Sequence, residues 1–426
     1  MKNNIITRII NSCRVCGSKN LTPIISLGNL YISDFLDQSE ADMASKAPLD
    51  LVLCNEKDGG CGLLQLKHPV SHEKLYRNYW YRSGVNKTMT DELIGIARKV
   101  ESLVNFQEGD YVIDIGANDG TLFRGFSRTN LRLVGFEPAR NLLKYSEQEA
   151  TKIIVDFFNY EAWYKEFENA KARAITAIAM FYDLDNPNKF VSDIVKCLHD
   201  DGIFIIQMSY LPSMLSQNAF DNICHEHLEY YSLLSLENLL KRHNLEVFDV
   251  ELNDVNGGSF RIYIKHTGKG ETIRIPEGAE ERVRKLRESE FDLKLNNRKP
   301  YDEFVVRVKK ETEKLKKFIK EETTKGKKIY AYGASTKGNT LLQYCALDNS
   351  LITAAVERNP DKWGKRTVGT GIPIISEEQA RRDQPDYFLI LPWHFLKEFR
   401  EREHEYLENG GKFIVPLPHF SIIDAG

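Results

Sequence analysis

The sequence predicts an α/β protein with two Rossmann-like parallel sheets behind a cysteine-rich N-terminal region, and three observations support this fold class. The segment VIDIGANDGT at 112–121 reads as a buried strand that runs into a glycine-containing turn. A second strand and turn, IYAYGASTKGNT, begin at residue 329. Four of the seven cysteines lie within the first 61 residues, which in a reducing compartment indicates a metal site before disulfides.

The composition is typical of a globular protein and excludes two classes of partner. Hydrophobic residues make up 42% of the 426 residues and charged residues 28%. The net charge of -3 leaves no electrostatic footprint for nucleic acid, and no apolar run approaches the ~20 residues that span a bilayer. The N-terminus has no signal-peptide core. We therefore expect a cytoplasmic protein, a monomer or small homo-oligomer, that binds neither nucleic acid nor membranes.

The N-terminal cysteines predict a zinc site. Cys13 and Cys16 form a CxxC knuckle, and Cys54 and Cys61 form a second pair with a wider spacing. Four thiolates suit tetrahedral zinc, and a site of this kind is structural because it leaves no open position for a substrate. The wide second spacing leaves four reduced, partly buried thiols as the alternative.

The turn after the first core strand and the acid after the second strand predict a nucleoside site. Residues 133–136 lead into Glu137, about 20 residues after the first turn, where a carboxylate can bind both hydroxyls of a ribose. The turn lacks the glycine spacing of dinucleotide binders, so a nucleoside without a pyrophosphate fits better than NAD. The candidate ligand contacts at the strand ends are Asp114, Gly116, Asn118, Asp119, Gly120, Glu137, Pro138, Asp156, Phe157 and Tyr182.

The rest of the central region predicts further elements of the same sheet. A helix at 87–104 precedes the first strand, and the later elements are strands at 153–155, 174–181 and 202–208 and a hairpin at 245–265. Dense alternating charge from 271 to 325 predicts a pair of helices that is split at Pro300 and solvated on one side.

The segment NICHEHLEYY at 222–231 is the most informative polar cluster. His225 and His227 flank Glu226, so the cluster does not match the HExxH zinc pattern. In an extended segment the two histidines point the same way and Glu226 points opposite. A histidine here can act as a general base, a step that contributes roughly 10²–10⁴-fold, and the alternative is a hydrogen-bonded surface pair.

Two further segments are candidate binding elements. LYRNYWYRSG at 75–84 is unusually aromatic, and its tyrosines either line a pocket for a polar ring or pack between domains. In the C-terminal unit, Ser335, Thr336 and Lys337 at a helix start suit an anion such as a diphosphate, although helix starts often carry Ser and Thr only as caps. Further strands are predicted at 352–356, 388–392 and 413–416.

Five motifs, CRVCG, ANDGT, HEHLEYYSL, NGGSFR and YGASTKGNT, occur in that order along the chain. Together they resemble the three-part sugar C-methyltransferases over nearly the whole sequence. The resemblance implies a class I methyltransferase Rossmann-like core between a zinc-binding N-terminal region and a Rossmann-like C-terminal domain. The corresponding boundaries are 1–75 for the zinc-binding domain, 76–270 for the core, 271–325 for a charged helical linker and 326–426 for the C-terminal domain.

The resemblance also implies zinc and S-adenosylmethionine as cofactors and a nucleotide-linked keto-deoxysugar as substrate. In this family a base removes the proton beside the ketone, and the enolate attacks the methyl group of the cofactor. The base is the second histidine of a Tyr-His-Glu-His run, which makes His227 the base and Glu226 its partner or a sugar ligand. Cys224 stands at the tyrosine position, where a thiol is a poorer donor. The implied catalytic residues are Cys224, His225, Glu226 and His227, and the expected substrate contacts are Tyr79, Tyr81, Asn222, Lys337 and Asn339.

Three alternatives remain open at the level of sequence. An O- or N-methyltransferase on the same sugar class would use the histidine cluster to deprotonate a hydroxyl or amine. A non-catalytic binding module would use the zinc site and both sheets as scaffolding. An NAD-dependent sugar enzyme would bind its cofactor at residues 333–338 with Glu357 on the ribose, although this loop lacks the usual glycine pattern.

Overall fold

The computed structural model describes residues 8–37, 44–55, 59–77 and 79–425. Three large sheets and one two-stranded sheet organise this part of the chain. No helix within these residues is both long enough and apolar enough to cross a membrane.

The N-terminal region forms an antiparallel sheet that is completed by a piece of the core. Its elements are β1 Leu21–Tyr31, β2 Phe35–Leu36, β3 Lys46–Cys54, β4 Leu64–Leu66 and α1 His72–Tyr76. The strands β1, β3 and β4 lie in this order, and Glu229 and Tyr230 pair with β4 as a fourth strand. Strand β2 instead pairs with residues 366–367 near the C-terminal sheet. The N-terminal region is therefore joined by backbone hydrogen bonds to both other parts of the chain.

The core is a seven-stranded sheet of five parallel strands and an antiparallel hairpin. Its elements are α2 Lys87–Leu103, β5 Tyr111–Ile115, β6 Arg132–Phe136, α3 Leu143–Ser146, β7 Lys152–Ile154, α4 Tyr160–Phe167, β8 Ala172–Ile178, α5 Pro187–Cys197, β9 Leu198–Ser209, α6 Leu211–Ser216, β10 Glu229–Tyr230, α7 Leu233–Lys241, β11 Leu245–Asn253 and β12 Ser259–His266. The strand order is β11-β12-β9-β8-β5-β6-β7. The predicted strands, helix and hairpin are all present within a few residues of their expected bounds.

Strand β5 lies inside this sheet, between β6 and β8 and parallel to both. Val112, Ile113 and Ile115 are all almost fully buried, because helices or loops cover both faces of the sheet. The turn after β5 therefore opens at the carboxyl edge of the sheet, where the ends of β6, β7 and β8 also lie. Ligands of open parallel sheets bind at this edge.

The charged stretch forms the two predicted helices, α8 Ala279–Leu293 and α9 Lys299–Thr324. The break falls at 294–298, just before Pro300, which occupies the first turn of α9, where its missing N–H and fixed φ are tolerated. Helix α9 is more than a solvated connection. Its apolar side, including Phe304 and Val308, packs into the same buried cluster as the N-terminal and C-terminal sheets.

The C-terminal part is a six-stranded sheet with five parallel strands and one antiparallel edge strand. Its elements are β13 Ile329–Tyr332, α10 Thr336–Tyr344, β14 Ala354–Glu357, β15 Arg366–Thr367, β16 Ile374–Ser376, α11 Glu377–Asp383, β17 Tyr387–Ile390, α12 Leu396–Arg402, α13 His404–Glu408, β18 Lys412–Val415 and β19 Ser421–Ile423. The order is β16-β14-β13-β17-β18-β19, and β15 pairs with β2 outside this sheet. The turn after β13 thus lies at the carboxyl edge of a second parallel sheet, as predicted.

Candidate active site and zinc centre

The four N-terminal cysteines converge on one point. Their sulfur atoms all lie within 4.8 Å of one another, and the Cys13–Cys61 and Cys16–Cys54 sulfurs are 3.6 and 3.4 Å apart. Four sulfurs at about 2.3 Å from a tetrahedral zinc ion stand about 3.8 Å apart, so this arrangement fits the ion. Hydrogen bonds from Cys54 and then Cys61 lower the pKa of Cys13, and the contacts with Cys13 raise the pKa of Cys54 and Cys61, so a single thiolate is favoured in the absence of an ion.

The wide spacing of the second pair does not separate its two sulfurs. The amide of Gly62 donates to the carbonyl of Cys54, and the amide of Cys61 donates to the Cys54 sulfur at 3.4 Å. Gly60 has no space for a side chain, because a Cβ there would lie 2.5 Å from the carbonyl oxygen of Asn55 and 2.7 Å from the sulfur of Cys54. A tight glycine turn therefore returns the chain to the metal position.

A cavity of about 1050 Å³ lies where the three large sheets meet. The carboxyl edge of the core sheet forms one wall. Residues 32–37, 75–76, 79–83 and 85–86 form a second wall, and the turns after β13 and β17 form a third. The lining includes both the turn after β5 and the turn after β13, so the ligand edges of the two parallel sheets open into one space.

The core end of the cavity contains the turn after β5 and the acid after β6. Gly116 has a φ of +72°, a conformation that side chains rarely adopt. The two oxygens of Glu137 each accept one backbone hydrogen bond of 2.7 Å, from the amides of Asn118 and Ala139. Each oxygen keeps a lone pair for a further donor. Burial raises the pKa of Glu137 to about 7.

Other predicted contacts also line this end of the cavity. Asp114 accepts a hydrogen bond of 2.6 Å from the hydroxyl of Thr176, and burial raises its pKa to about 7. The guanidinium of Arg77 lies 4.9 Å from the ring centre of Phe157 and donates to Asp156 at 3.3 Å. The predicted cofactor contacts that line the cavity are Asp114, Gly116, Asn118, Glu137, Pro138, Asp156, Phe157 and Tyr182.

Asp119 and Gly120 were also predicted to contact the ligand, but neither lines the cavity. Asp119 is 1% exposed and accepts hydrogen bonds from the amide of Gly84 at 2.8 Å and the hydroxyl of Thr121 at 2.6 Å. Thr121 begins a short 3-10 helix at 121–125. Asp119 therefore braces the aromatic segment against the turn.

His227 lines the middle of the cavity. Its Nδ1 lies 2.9 Å from the carbonyl oxygen of Asn222, which can only accept, so Nδ1 carries the proton of the neutral ring. The Nε2 atom accepts no hydrogen bond from the described residues. The ring packs on Tyr182 with 4.3 Å between ring centres. Burial, and then the charge of Lys337, lower the pKa of His227 to about 3, so the imidazole is neutral.

His225 is held elsewhere, and the expectation that both histidines face one way is wrong. Its Nε2 lies 3.0 Å from the carbonyl oxygen of Ala47 in β3, and the residue is 2% exposed. The chain bends at 224–226 instead of running as an extended strand. Cys224, Glu226 and His227 consequently line the cavity, whereas His225 ties the segment to the N-terminal sheet.

Glu226 and Cys224 are buried neighbours of His227. One oxygen of Glu226 accepts a hydrogen bond of 3.2 Å from the hydroxyl of Thr336 in α10. Its other oxygen is buried and has no partner in the described part of the chain. Burial raises the pKa of Glu226 to about 7 and raises that of the Cys224 thiol well above its usual range. Glu226 therefore connects the core to the C-terminal domain inside the cavity.

The expected substrate contacts divide into two groups. Tyr79, Tyr81 and Lys337 line the cavity. The ammonium group of Lys337 donates to the carbonyl oxygen of Asn256 at 3.2 Å. Asn222 and Asn339 do not line the cavity. The backbone carbonyl of Asn222 accepts from His227, and the side-chain amide of Asn339 donates to the hydroxyl of Ser33 at 2.9 Å.

Two residues of the cavity wall were missed as site residues. Asp183 ends a 3-10 turn just after β8, and His394 lies in the turn after β17 with its Nδ1 buried and without a partner in the described residues. Both follow the carboxyl ends of parallel strands. The rule that located Glu137 indicates both turns, but only Tyr182 of the first turn was predicted as a ligand contact.

The N-terminal sheet holds the histidine segment on both sides of His227. His225 reaches the carbonyl of Ala47, and the amide of Leu66 donates to the carbonyl of Leu228 at 2.8 Å. Strand β10 then follows directly as the edge of that sheet. The position of His227 therefore depends on a sheet whose end carries the four cysteines.

Comparison with known families agrees with this arrangement. A model described as "Putative zinc binding domain" matches residues 13–76, a methyltransferase domain matches 88–250 and a C-methyltransferase C-terminal domain matches 254–418. C-methyltransferase NovU of Streptomyces niveus is 31% identical over 423 residues, which cover 99% of this chain and 98% of that protein.

Solved methyltransferase structures resemble part of the chain. An S-adenosylmethionine-dependent methyltransferase from Clostridium acetobutylicum is 15% identical, with 42% of this chain and 91% of that chain covered and a TM-score of 0.32. The magnesium protoporphyrin IX methyltransferase of Synechocystis is 9% identical, with 42% and 79% covered and a TM-score of 0.31.

The protein is an S-adenosylmethionine-dependent methyltransferase with a class I Rossmann-like core and a zinc-binding N-terminal region. The chain belongs to the family of C-methyltransferases that includes NovU. The predicted fold class and both predicted cofactors are confirmed. The alternative of a non-catalytic module is wrong.

Loss of one cysteine ligand should remove the zinc. We expect Cys61→Ser protein to contain almost no zinc, against about one ion per wild-type chain, because a hydroxyl is a poor replacement for a thiolate ligand. Elemental analysis by mass spectrometry measures the content, and thermal unfolding should begin at a lower temperature. The control is Cys197→Ser, which changes a buried thiol in α5 outside the cluster. Full zinc content in Cys61→Ser would contradict the four-cysteine site.

Proposed function

We propose that the protein transfers a methyl group to the carbon beside the ketone of a nucleotide-linked keto-deoxysugar, with His227 as the base. One observation carries this proposal. His227 presents a neutral imidazole to a cavity that joins the nucleoside-type turn of the core to an amine-bearing turn of the C-terminal domain. A base between a cofactor site and an anion site is the arrangement that methylation of a charged, weakly acidic substrate requires.

The core end of the cavity is suited to S-adenosylmethionine. Glu137 would hold the ribose hydroxyls with its two free lone pairs, and Asp156 and Phe157 would meet the adenine. Gly116 and Asp114 would face the methionine part, where a carboxylate can accept from an ammonium group. When bound, the cofactor supplies a methyl group on a sulfonium, which is a good leaving group. The enzyme's own task is then to generate and aim a carbanion.

The base step uses the free nitrogen of His227. Nε2 takes the proton from the carbon beside the ketone, and the electron pair of that C–H bond moves to the ketone oxygen. The resulting enolate carbon would form the new bond to the methyl group as the methyl–sulfur bond of the cofactor breaks and leaves its electron pair on sulfur. Because the carbonyl of Asn222 accepts the Nδ1–H hydrogen bond, the ring keeps one tautomer and one orientation during the proton transfer. Glu226 is placed to contact the sugar or the imidazolium that forms.

The C-terminal wall is suited to the charged part of the substrate. Lys337 lines the cavity at the start of α10, where backbone amides and an ammonium group both favour an anion. Its charge also lowers the pKa of His227. An anionic substrate paired with Lys337 would offset the part of this lowering that comes from the lysine charge, while the larger part, which comes from burial, would remain.

Tyr79 and Tyr81 would contact the sugar or its base, because both line the cavity between these two ends. We also propose that the chain divides functionally as its sequence predicts. The segment to 75 would hold zinc, 76–270 would bind the cofactor, and the part from 326 would bind the nucleotide portion of the substrate.

Replacement of His227 by asparagine should slow methyl transfer strongly without loss of cofactor binding. Asparagine keeps a donor for the Asn222 carbonyl but has no basic nitrogen, so we expect the rate to fall by about 10²–10⁴-fold. Wild type and variant are incubated with methyl-labelled S-adenosylmethionine and a panel of nucleotide-linked keto-deoxysugars. NMR then locates the label, which should lie on a ring carbon.

The matched control is His404→Asn, which makes the same change at an exposed histidine of α13 and should retain wild-type activity. A label on oxygen or nitrogen would contradict carbon methylation. Full activity in His227→Asn would leave carbon methylation intact but overturn the assignment of the base.

Replacement of Glu137 by glutamine should weaken cofactor binding. The glutamine side chain keeps the size of the carboxylate but has no charge and only one acceptor oxygen. One of the two backbone N–H groups, of Asn118 or Ala139, and one ribose hydroxyl therefore lose their acceptor. At about 1.5–3 kcal/mol for a hydrogen bond to a charged group, the dissociation constant for S-adenosylmethionine should rise about 10–100-fold. Calorimetric titration measures it, with the exposed Glu147→Gln as control. Unchanged affinity would remove Glu137 from the cofactor site.

A further inference from the structure

Asp183 is a half-buried residue that follows Tyr182, the residue whose ring packs on the proposed base. It ends the turn after β8. The amide of Leu228 donates to the carbonyl of Tyr182 at 2.8 Å, which fixes this turn against the histidine segment. Asp183 and His227 both line the same cavity. The turn that carries Asp183 is therefore held against the segment that carries His227, on the wall of one cavity.

The surroundings of Asp183 favour its neutral form. Its Oδ1 is buried and has no partner among the described residues. The ionisable groups that act on Asp183 or feel its charge are the carboxyls of Glu226 and Glu229, the thiol of Cys224 and the phenols of Tyr76, Tyr79, Tyr182 and Tyr230. No cation is among them. Burial raises the pKa of Asp183 well above its usual range. A hydrogen bond from Tyr76 lowers this pKa in part, and the charges of Glu226 and Glu229 raise it further.

We propose that Asp183 is a further catalytic residue, a protonated carboxylic acid that donates a hydrogen bond to the ketone oxygen as the enolate forms. This inference rests on the proposed function and names a second group for the same step. Proton abstraction beside a ketone moves charge onto the oxygen, so it needs a donor there as well as a base at the carbon. A carboxylic acid kept neutral by an apolar site can serve as this donor.

Among the neighbouring groups, Asp183 is the best candidate for the hydrogen-bond donor to the ketone oxygen. The thiol of Cys224 is a weak donor, and its buried position opposes ionisation. Glu226 already accepts from Thr336 on one oxygen. Asp183 has an oxygen with no partner, so the acid can direct its proton to a ligand without breaking a hydrogen bond of that oxygen. The Asp183 proton is shared with the oxygen and is not transferred in this step, so the proton from carbon remains on His227.

Two variants distinguish whether Asp183 acts as a neutral hydrogen-bond donor or as an ionised carboxylate. Asp183→Asn keeps an N–H donor of the same size, and Asp183→Ala removes it. We follow deuterium exchange at the carbon beside the ketone with S-adenosylhomocysteine bound and the keto-sugar that wild type methylates. Exchange should fall about 10²–10³-fold in Asp183→Ala and clearly less in Asp183→Asn. The control is Asp200→Asn, the same change at an exposed residue paired with Lys269, which should exchange at the wild-type rate.

The pH profile gives a readout that a purely structural role would not move. The donor acts only when protonated, so wild-type exchange should decline as pH rises through the raised pKa of Asp183. Asp183→Asn does not titrate and should lose this alkaline decline. In parallel, NMR of protein labelled at the aspartate carboxyl carbon should show one neutral aspartic acid at neutral pH that is missing in Asp183→Asn.

The outcomes distinguish the two proposals. Two results would overturn the role of Asp183 but leave the proposed function intact. The first is deuterium exchange by wild type while Asp183 is ionised. The second is an equal loss of exchange in Asp183→Asn and Asp183→Ala with an unchanged pH profile. Absence of exchange and methylation with every sugar in the panel would overturn the proposed function, and the role of Asp183 with it.

Discussion

The hydrogen bond from His227 Nδ1 to the carbonyl of Asn222 is the interaction on which the proposed chemistry depends. It assigns the tautomer, turns Nε2 towards the cavity and requires the chain to bend between the two residues. A bent, polar segment is stable in a protein interior only if its other groups are also paired. Much of the architecture around it supplies those partners.

Each of the three parts of the chain contributes to this pairing. The N-terminal sheet binds His225 through Ala47 and the Leu228 carbonyl through Leu66. In the core, Tyr182 packs against the ring of His227. In the C-terminal domain, the hydroxyl of Thr336 donates a hydrogen bond to Glu226. The four cysteines lie outside the cavity, and a zinc ion held by them would stabilise the end of the sheet that holds the histidine segment. A closed set of four sulfur ligands leaves such an ion a structural role.

Much of the fold could be predicted because it follows from local pattern. The β-branched run at 112–115, the glycine turn after it and Glu137 after the next strand indicate a parallel sheet and its ligand edge, and the cysteines indicate zinc. The orientation of side chains within 222–228 could not be predicted, since strand alternation fails where the chain bends. Asp119 illustrates the same limit. A carboxylate in a ligand-binding turn can bind the ligand or accept hydrogen bonds from neighbouring protein groups, and only the structure shows that Asp119 accepts from the amide of Gly84.

The protonation state and tautomer of His227 test this view most directly, and they can be measured without any substrate. Nitrogen NMR of histidine-labelled protein, with His227 assigned by the signal missing in His227→Asn, reports both properties across about pH 5 to 8. A neutral ring with its proton on Nδ1 throughout this range is the predicted result, because burial holds the pKa of His227 at about 3. An imidazolium at neutral pH, or a neutral ring with its proton on Nε2, would contradict the assignment of His227 as the base.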